Sequence, residues 1–280
     1  MSADTFAASS TTELAALAVG ISLSGLVAGT VAGMLGVGGG IVLVPVLFQT
    51  LSFLGVDEAV RMPLSVGTSL ATIIPTSVRS TLSHNKRGAV DWSVLRTWAV
   101  PTVLGVMAGT WLASMIGGKG MTGVFAFGAA TLGLFMLFGR EEWRLGDRVP
   151  TDGLSWPIGI ANGALSVLMG IGGGTFGVTV MTLFGSPIHR AVATAAGFGI
   201  IIAVPGTIGM MVNGWYVSTL PPLSLGYVSL LGLALIVPAT ILAAPFGVSL
   251  AHRMSRETLR RVFGIFLCLT AARMAWAYWG

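Results

Sequence analysis

The sequence predicts an all-α polytopic membrane protein made of two inverted-topology repeats of five helical segments each, with glycine-interrupted helix pairs. Three observations carry this reading. The chain is 54% hydrophobic and only 9% charged, where a soluble domain carries roughly 25% charged residues. Its mean hydropathy is +0.88. A glycine-rich motif, MLGVGGG over 34–40, returns as LMGIGGG over 168–174. So few charges cannot clothe a water-facing surface, which places the chain in a lipid bilayer. Forty glycines suit close helix packing in lipid. The apolar runs lack the alternation, over about ten residues, of a membrane-spanning β-strand, so they read as helices.

Ten apolar segments follow one another. In the first half they cover 14–35, 40–54, 58–82, 92–116 and 121–139. In the second they cover 153–169, 174–185, 188–212, 222–250 and 257–279. The hydrophilic stretch 140–152 lies between, so the expected units are 1–139, a cytoplasmic linker over 140–152, and 153–280. The halves match beyond their glycines. VGTSL over 66–70 resembles VATAA over 192–196, Pro75 pairs with Pro205, and Val124-Phe125 with Val262-Phe263. Seven positions separate Thr68 from Pro75 and eleven separate Thr194 from Pro205. Four extra residues are about one helical turn, so the third segment of the second half is expected to be a turn longer.

Lys and Arg placement gives orientation. Of the 15 basic residues, all but Arg61, Lys119 and Arg273 fall near one set of loops, which is the cytoplasmic set. The loop after the third segment is basic in the first half and carries no Lys or Arg in the second; the loop after the fourth reverses this bias. Equivalent loops therefore face opposite sides, the halves are inverted, and both termini are expected outside. The first two segments of each half form a there-and-back pair with a glycine run at the turn. The two turns enter from opposite faces and are expected to meet near the midplane, provided segment 40–54 is not separate and lipid-exposed. Residues 1–13 hold no Lys or Arg, so the first apolar run lacks the basic flank of a cleaved signal and reads as a retained helix.

Glycine reaches backbone conformations that other residues avoid, so three in a row break an apolar helix. A helix restarting after Gly38, Gly39 and Gly40, or after Gly172, Gly173 and Gly174, presents free N–H groups and the positive end of its dipole. Such ends bind anions without a buried cation. Thr175 adds a hydroxyl donor. Paired breaks at matching places in two halves mark the substrate site of many transporters. The competing reading is that the glycines serve close helix crossing alone.

These motifs resemble the TauE/SafE sulfite exporter family, also called the 4-toluene sulfonate uptake permease family. The resemblance rests on Gly36, Gly38, Gly39, Gly40 and Pro45, on Gly170, Gly172, Gly173 and Gly174, on VGTSL over 66–70, on His84 and on GAVDW over 88–92, and covers nearly the whole chain. It implies a bacterial inner-membrane transporter of sulfur-containing anions such as sulfite, sulfoacetate or other organosulfonates. The second half departs at Thr179, opposite Pro45, and at Ala195, opposite Ser69.

Other polar residues have two open readings each. Thr68, Thr72 and Thr76 share a helix face, with Ser69 beside them; they line a pathway or bond back to their own helix. Thr194 is the counterpart of Thr68. Asn162 sits before the second glycine turn and contacts either substrate or a neighbouring helix. Arg79 snorkels to the interface or offers charge to an anion at the inner gate. Arg61 and Arg190 open the third segments on opposite sides and read as lone interfacial anchors. His84 and Asp91 share one loop, solvated or relaying protons. Seven tryptophans (Trp92, Trp111, Trp143, Trp156, Trp215, Trp276 and Trp279) fall at segment ends as an interfacial belt. Cys268 reads as packing.

No acid falls near the midplane, so no carboxylate is available there for proton coupling. Coupling to H+ or Na+ stays open, and no cofactor or metal is expected. No H-E-x-x-H, G-x-S-x-G or intramembrane Asp pair points to an enzyme. The expected partners are a small anion and the bilayer, with a homodimer left open. The basic balance, +5, is spread over short loops, so nucleic acid is excluded. The function expected is alternating-access transport of a small sulfur-containing anion; an anion channel or a carboxylate transporter of the same architecture is the alternative.

Overall fold

The computed structural model describes residues 25–27, 29–30, 39–139 and 143–279. Among them, eight helices follow short helical stretches at 25–27 and 29–30: α1 (Gly40–Phe53), α2 (Glu58–Asn85), α3 (Trp92–Phe138), α4 (Ser155–Leu168), α5 (Gly174–Leu183), α6 (Ile188–Asn213), α7 (Leu230–Arg253) and α8 (Arg256–Trp279). No strand occurs among the described residues beyond an isolated bridge between Ser224 and Ser229. Among the described residues, three stretches are long and apolar enough to cross a membrane by themselves: Trp92–Phe138, Ile188–Asn213 and Arg260–Trp279. The protein is an all-helical, multi-pass membrane protein.

Two expected boundaries shift. The loop expected at 117–120 contracts to one kink at Gly117 (φ 63°, ψ −172°) inside α3. A segment expected to start at 222 starts at Leu230, because 223–229 turns back on itself. Leu223 and Gly226 both take positive φ there, and Ser224 bridges Ser229. The turn docks tightly: a Cβ on Gly67 of α2 would collide with the Tyr227 carbonyl oxygen.

Long α2 and α6 lie against each other at the centre. Ile73 of α2 and Gly199 of α6 both flank Gly172, and Leu70 packs on Gly206. The first helix of each half packs on the fourth segment of the other through paired glycines four residues apart. Gly25 lies against Ala239, and Gly29 against Thr240, of α7; a Cβ on either would stand 2.8 and 2.6 Å from those residues. Gly159 and Gly163 of α4 meet Pro101 and Thr102 of α3 in the same way. Removing the side chain lets helix backbones approach, which is how helices associate where no hydrophobic effect drives them.

Outward faces are apolar. All seven tryptophans of the expected belt are exposed, whereas Trp98 is fully buried, packs on Phe198 at 5.8 Å and donates from Nε1 to the Pro150 carbonyl at 2.8 Å. Cys268 lies against Gly133 between α3 and α8.

Candidate functional site at the glycine turns

Both glycine turns use one backbone. Gly39 precedes α1 at φ 73°, ψ −11°, and Gly173 precedes α5 at φ 72°, ψ −4°, each left-handed and without a side-chain cap. Only glycine takes this conformation freely, so the third glycine of each motif is fixed by the turn itself. Each helix then starts with N–H groups that no side chain caps.

The turns touch. A Cβ on Gly40 would collide with the Gly170 carbonyl oxygen and stand 3.1 Å from Ile171 Cα. Helix α1 is buried along most of its length, including Ile41, Val42, Leu43 and Val44. It is therefore neither separate nor lipid-exposed. Gly172 is closed in by Ile73, and Gly173 by Ile202 and Phe198. Gly40 and Gly172 thus serve close crossing. Gly38 lies outside the described residues, and Gly174 opens α5 as a buried residue.

The second turn has polar company among the described residues. Asn162 on α4 is buried, and neither its Oδ1 nor its Nδ2 has a hydrogen-bond partner. Its Nδ2 would stand 3.5 Å from a Cβ on Gly173, and its Oδ1 3.8 Å from one on Gly177. The amide therefore lies along the first turn of α5. Thr175 Oγ1 on that turn and Ser166 Oγ, one helical turn from Asn162, are also buried and unpartnered. Beside them Gly177 leaves room, since the nearest atoms to an added Cβ are 3.8 to 3.9 Å away. A buried polar group without partners costs on the order of 1–3 kcal/mol, so Asn162 and Thr175 at one uncapped helix start are waiting donors and acceptors.

The remaining expected residues do other work. Thr68 Oγ1 accepts from the Ser229 amide, and Thr194 Oγ1 accepts from the Asp91 amide, both at 2.9 Å. Ser229 and Asp91 in turn precede α7 and α3 and cap them, accepting from Gly232 and from Ser93 and Val94. The third segment of each half thus anchors the start of the fourth segment of the other. Ser69 donates to the Gly170 carbonyl at 2.8 Å, tying α2 to the second turn. Thr72 and Thr76 donate back to carbonyls of α2. Arg79 is exposed.

Two expectations are corrected. Arg190 is not a lone anchor: its guanidinium pairs with the Asp91 carboxylate at 3.0 Å. Arg61 is likewise engaged, donating to the Val56 carbonyl at 2.9 Å and lying over the Phe48 ring. Asp91 is occupied by its cap and by Arg190, not directed to His84. Sequence reading missed Ser166 and Gly177. Aligning the two glycine motifs reveals both, since Ser166 falls opposite Ala32 and Gly177 opposite Leu43.

Glycine turns that meet inside a multi-pass helical protein are the arrangement found in membrane transporters. Comparison with known proteins agrees. The chain belongs to the TauE/SafE sulfite exporter family, whose model matches residues 21–274. It is 31% identical over 257 residues to a probable membrane transporter protein of Haemophilus influenzae, covering 90% of this chain and 96% of that one. It is 27% identical over 269 residues to the probable membrane transporter protein YunE of Bacillus subtilis, covering 89% and 94%. No solved structure matches the chain significantly.

Proposed function

We propose that this transporter carries a small sulfur-containing anion, an organosulfonate such as sulfoacetate or else sulfite, by alternating access across the bacterial inner membrane. The anion sits at the start of α5. The observation that carries this reading is the buried, unpartnered amide of Asn162 beside an uncapped helix N-terminus. Backbone N–H groups, the Asn162 amide and the Thr175 hydroxyl together supply donors for sulfonyl oxygens.

Alternation follows from two inverted repeats, 1–139 and 153–280, joined by a cytoplasmic linker, with both termini outside. The reciprocal bonds of Thr68 and Thr194 and the reciprocal glycine pairs 25/29 and 159/163 support that pseudo-symmetry. Each half grips the other by equivalent contacts, as expected of repeats that rock about a shared site. Helix α2, which packs on both turns, and α6, which packs on the second, are the elements that would transmit the motion.

The test is uptake of sulfite and sulfoacetate into proteoliposomes, with counterflow to separate a carrier from a channel. Gly39→Leu and Gly173→Leu are expected to abolish uptake while the protein still inserts. Saturable uptake with counterflow supports the proposal; normal uptake by both variants overturns it.

A further inference from the structure

The first turn of α5, from Gly173 to Gly177, runs past two unlike side chains. Asn162 is the polar one, with Nδ2 at 3.5 Å from a Cβ on Gly173 and Oδ1 at 3.8 Å from one on Gly177. Phe198 of α6 is the apolar one, with its own Cβ at 3.3 Å from the Gly173 position and its ring Cδ2 at 3.9 Å from the Gly177 position. Met181 Cε, from the next turn of α5, stands 3.9 Å from that same position. All three side chains are buried. Gly177 is also where the packing leaves a gap. An added Cβ there meets only ordinary contact distances, whereas at Gly163, Gly172 and Gly206 it would stand 2.1, 2.7 and 2.9 Å from a neighbour. Protein interiors are close-packed, and such a gap beside an unpartnered amide is a place one carbon would fill.

The chemistry of sulfur oxyanions decides what fits. Sulfate sets oxygens in all four tetrahedral directions. Sulfite sets three and leaves the fourth to a lone pair. A sulfonate sets three oxygens and a carbon. With its other oxygens on the donors of the turn, sulfate would bury one oxygen against Met181 and Phe198 without a partner, which is costly. Sulfite would leave the gap unfilled. A carbon gains burial and dispersion contacts there, and the flexible thioether of Met181 adapts to it. Resting on the proposed anion site, we infer that Gly177, Met181 and Phe198 form a notch for the carbon bonded to sulfur. The notch makes the site one for organosulfonates over inorganic sulfite and sulfate. The methylene of sulfoacetate is a carbon of this kind. Gly177 is the specificity-determining residue, because any side chain there takes the place of the ligand carbon.

Binding is read as ligand-induced thermal stabilisation of the purified protein, titrated with methanesulfonate, sulfoacetate, sulfite and sulfate at one pH. The wild type is expected to bind methanesulfonate about tenfold more tightly than sulfite, the discrimination that one carbon gives in an apolar pocket. Sulfoacetate is expected to side with methanesulfonate, and sulfate to bind more weakly than sulfite. In Gly177→Ala the added methyl occupies the notch, so methanesulfonate is expected to weaken several-fold and most of its lead over sulfite to vanish. Sulfite binding as tightly as methanesulfonate to the wild type, or a lead of unchanged size in Gly177→Ala, overturns the notch and leaves the anion site standing. No stabilisation by any of the four overturns the anion site, and the notch with it.

Discussion

At Gly39 the chain enters α1, and at Gly173 it enters α5, with φ and ψ equal to within a few degrees. Around the first turn the helix continues Ile41, Val42, Leu43 and Val44, all buried and apolar. Around the second it continues Thr175, Phe176, Gly177 and Val178 and faces Asn162. The aligned motifs set Asn162, Ser166 and Thr175 opposite Ala28, Ala32 and Ile41. The same backbone turn occurs at both glycine motifs, and among the described residues unpartnered polar side chains stand beside the second. The lesson is that the break and the site are separable: glycine makes the break, and neighbouring polar side chains make a place for a ligand.

The comparison breaks most sharply at Asn162. Asn162→Leu and Thr175→Val each remove a donor to a charged ligand, worth about 1.5–3 kcal/mol, or roughly ten- to a hundredfold in substrate affinity. Ile41→Val, at the mirror position of Thr175, is expected to leave affinity unchanged. Equal losses from Thr175→Val and Ile41→Val in a transport assay would mean that both turns bind.

Gly177 sharpens the same contrast. An added Cβ there meets nothing closer than 3.8 Å, so Gly177→Ala is expected to stabilise α5 by about 0.5–1 kcal/mol through lower chain entropy. It also fills space beside Asn162. The expected outcome is a higher thermal midpoint together with a several-fold weaker substrate affinity. A gain in both would show that the space beside Gly177 is unused.

The two anchoring threonines probe the symmetry rather than the site. Thr68→Val and Thr194→Val each orphan one half-buried amide at a helix start, at a cost of about 0.5–1.5 kcal/mol. Similar falls in thermal midpoint are expected, and a large inequality would break the equivalence of the two joints. The smallest effect belongs to Asp91 and Arg190. Their ion pair is partly exposed, with the Arg190 side chain at 58%. A double-mutant cycle of Asp91→Asn and Arg190→Gln is expected to give a coupling of about 1 kcal/mol or less, screened by added salt.

Much of this was written in the chain. Composition dictated a helical membrane protein, because lipid offers no partner to an open backbone. The glycine triplets marked where helices α1 and α5 begin to within a residue, because a left-handed turn inside an apolar run leaves almost no other choice. The seven tryptophans at segment ends are exposed as a belt requires. Asn162 and Thr175 were visible as polar residues out of place. Their being unpartnered was not visible, since a sequence does not say which neighbour arrives.

Tertiary packing decided the rest. Thr68 and Thr194 read equally as pathway residues, and their hydroxyls instead hold amides that lie 161 and 103 positions away along the chain. Arg190 became one half of an ion pair only because the starts of α3 and α6 lie side by side. The kink at Gly117 and the turn over 223–229 depend on what each stretch docks against, as Gly67 against Tyr227 shows. Local backbone preference and burial are properties of a residue and its near neighbours, so the sequence alone determined the turns and the membrane fold. Hydrogen-bond partners come from distant segments, so only the assembled bundle could decide which polar groups are satisfied and which are left for a ligand.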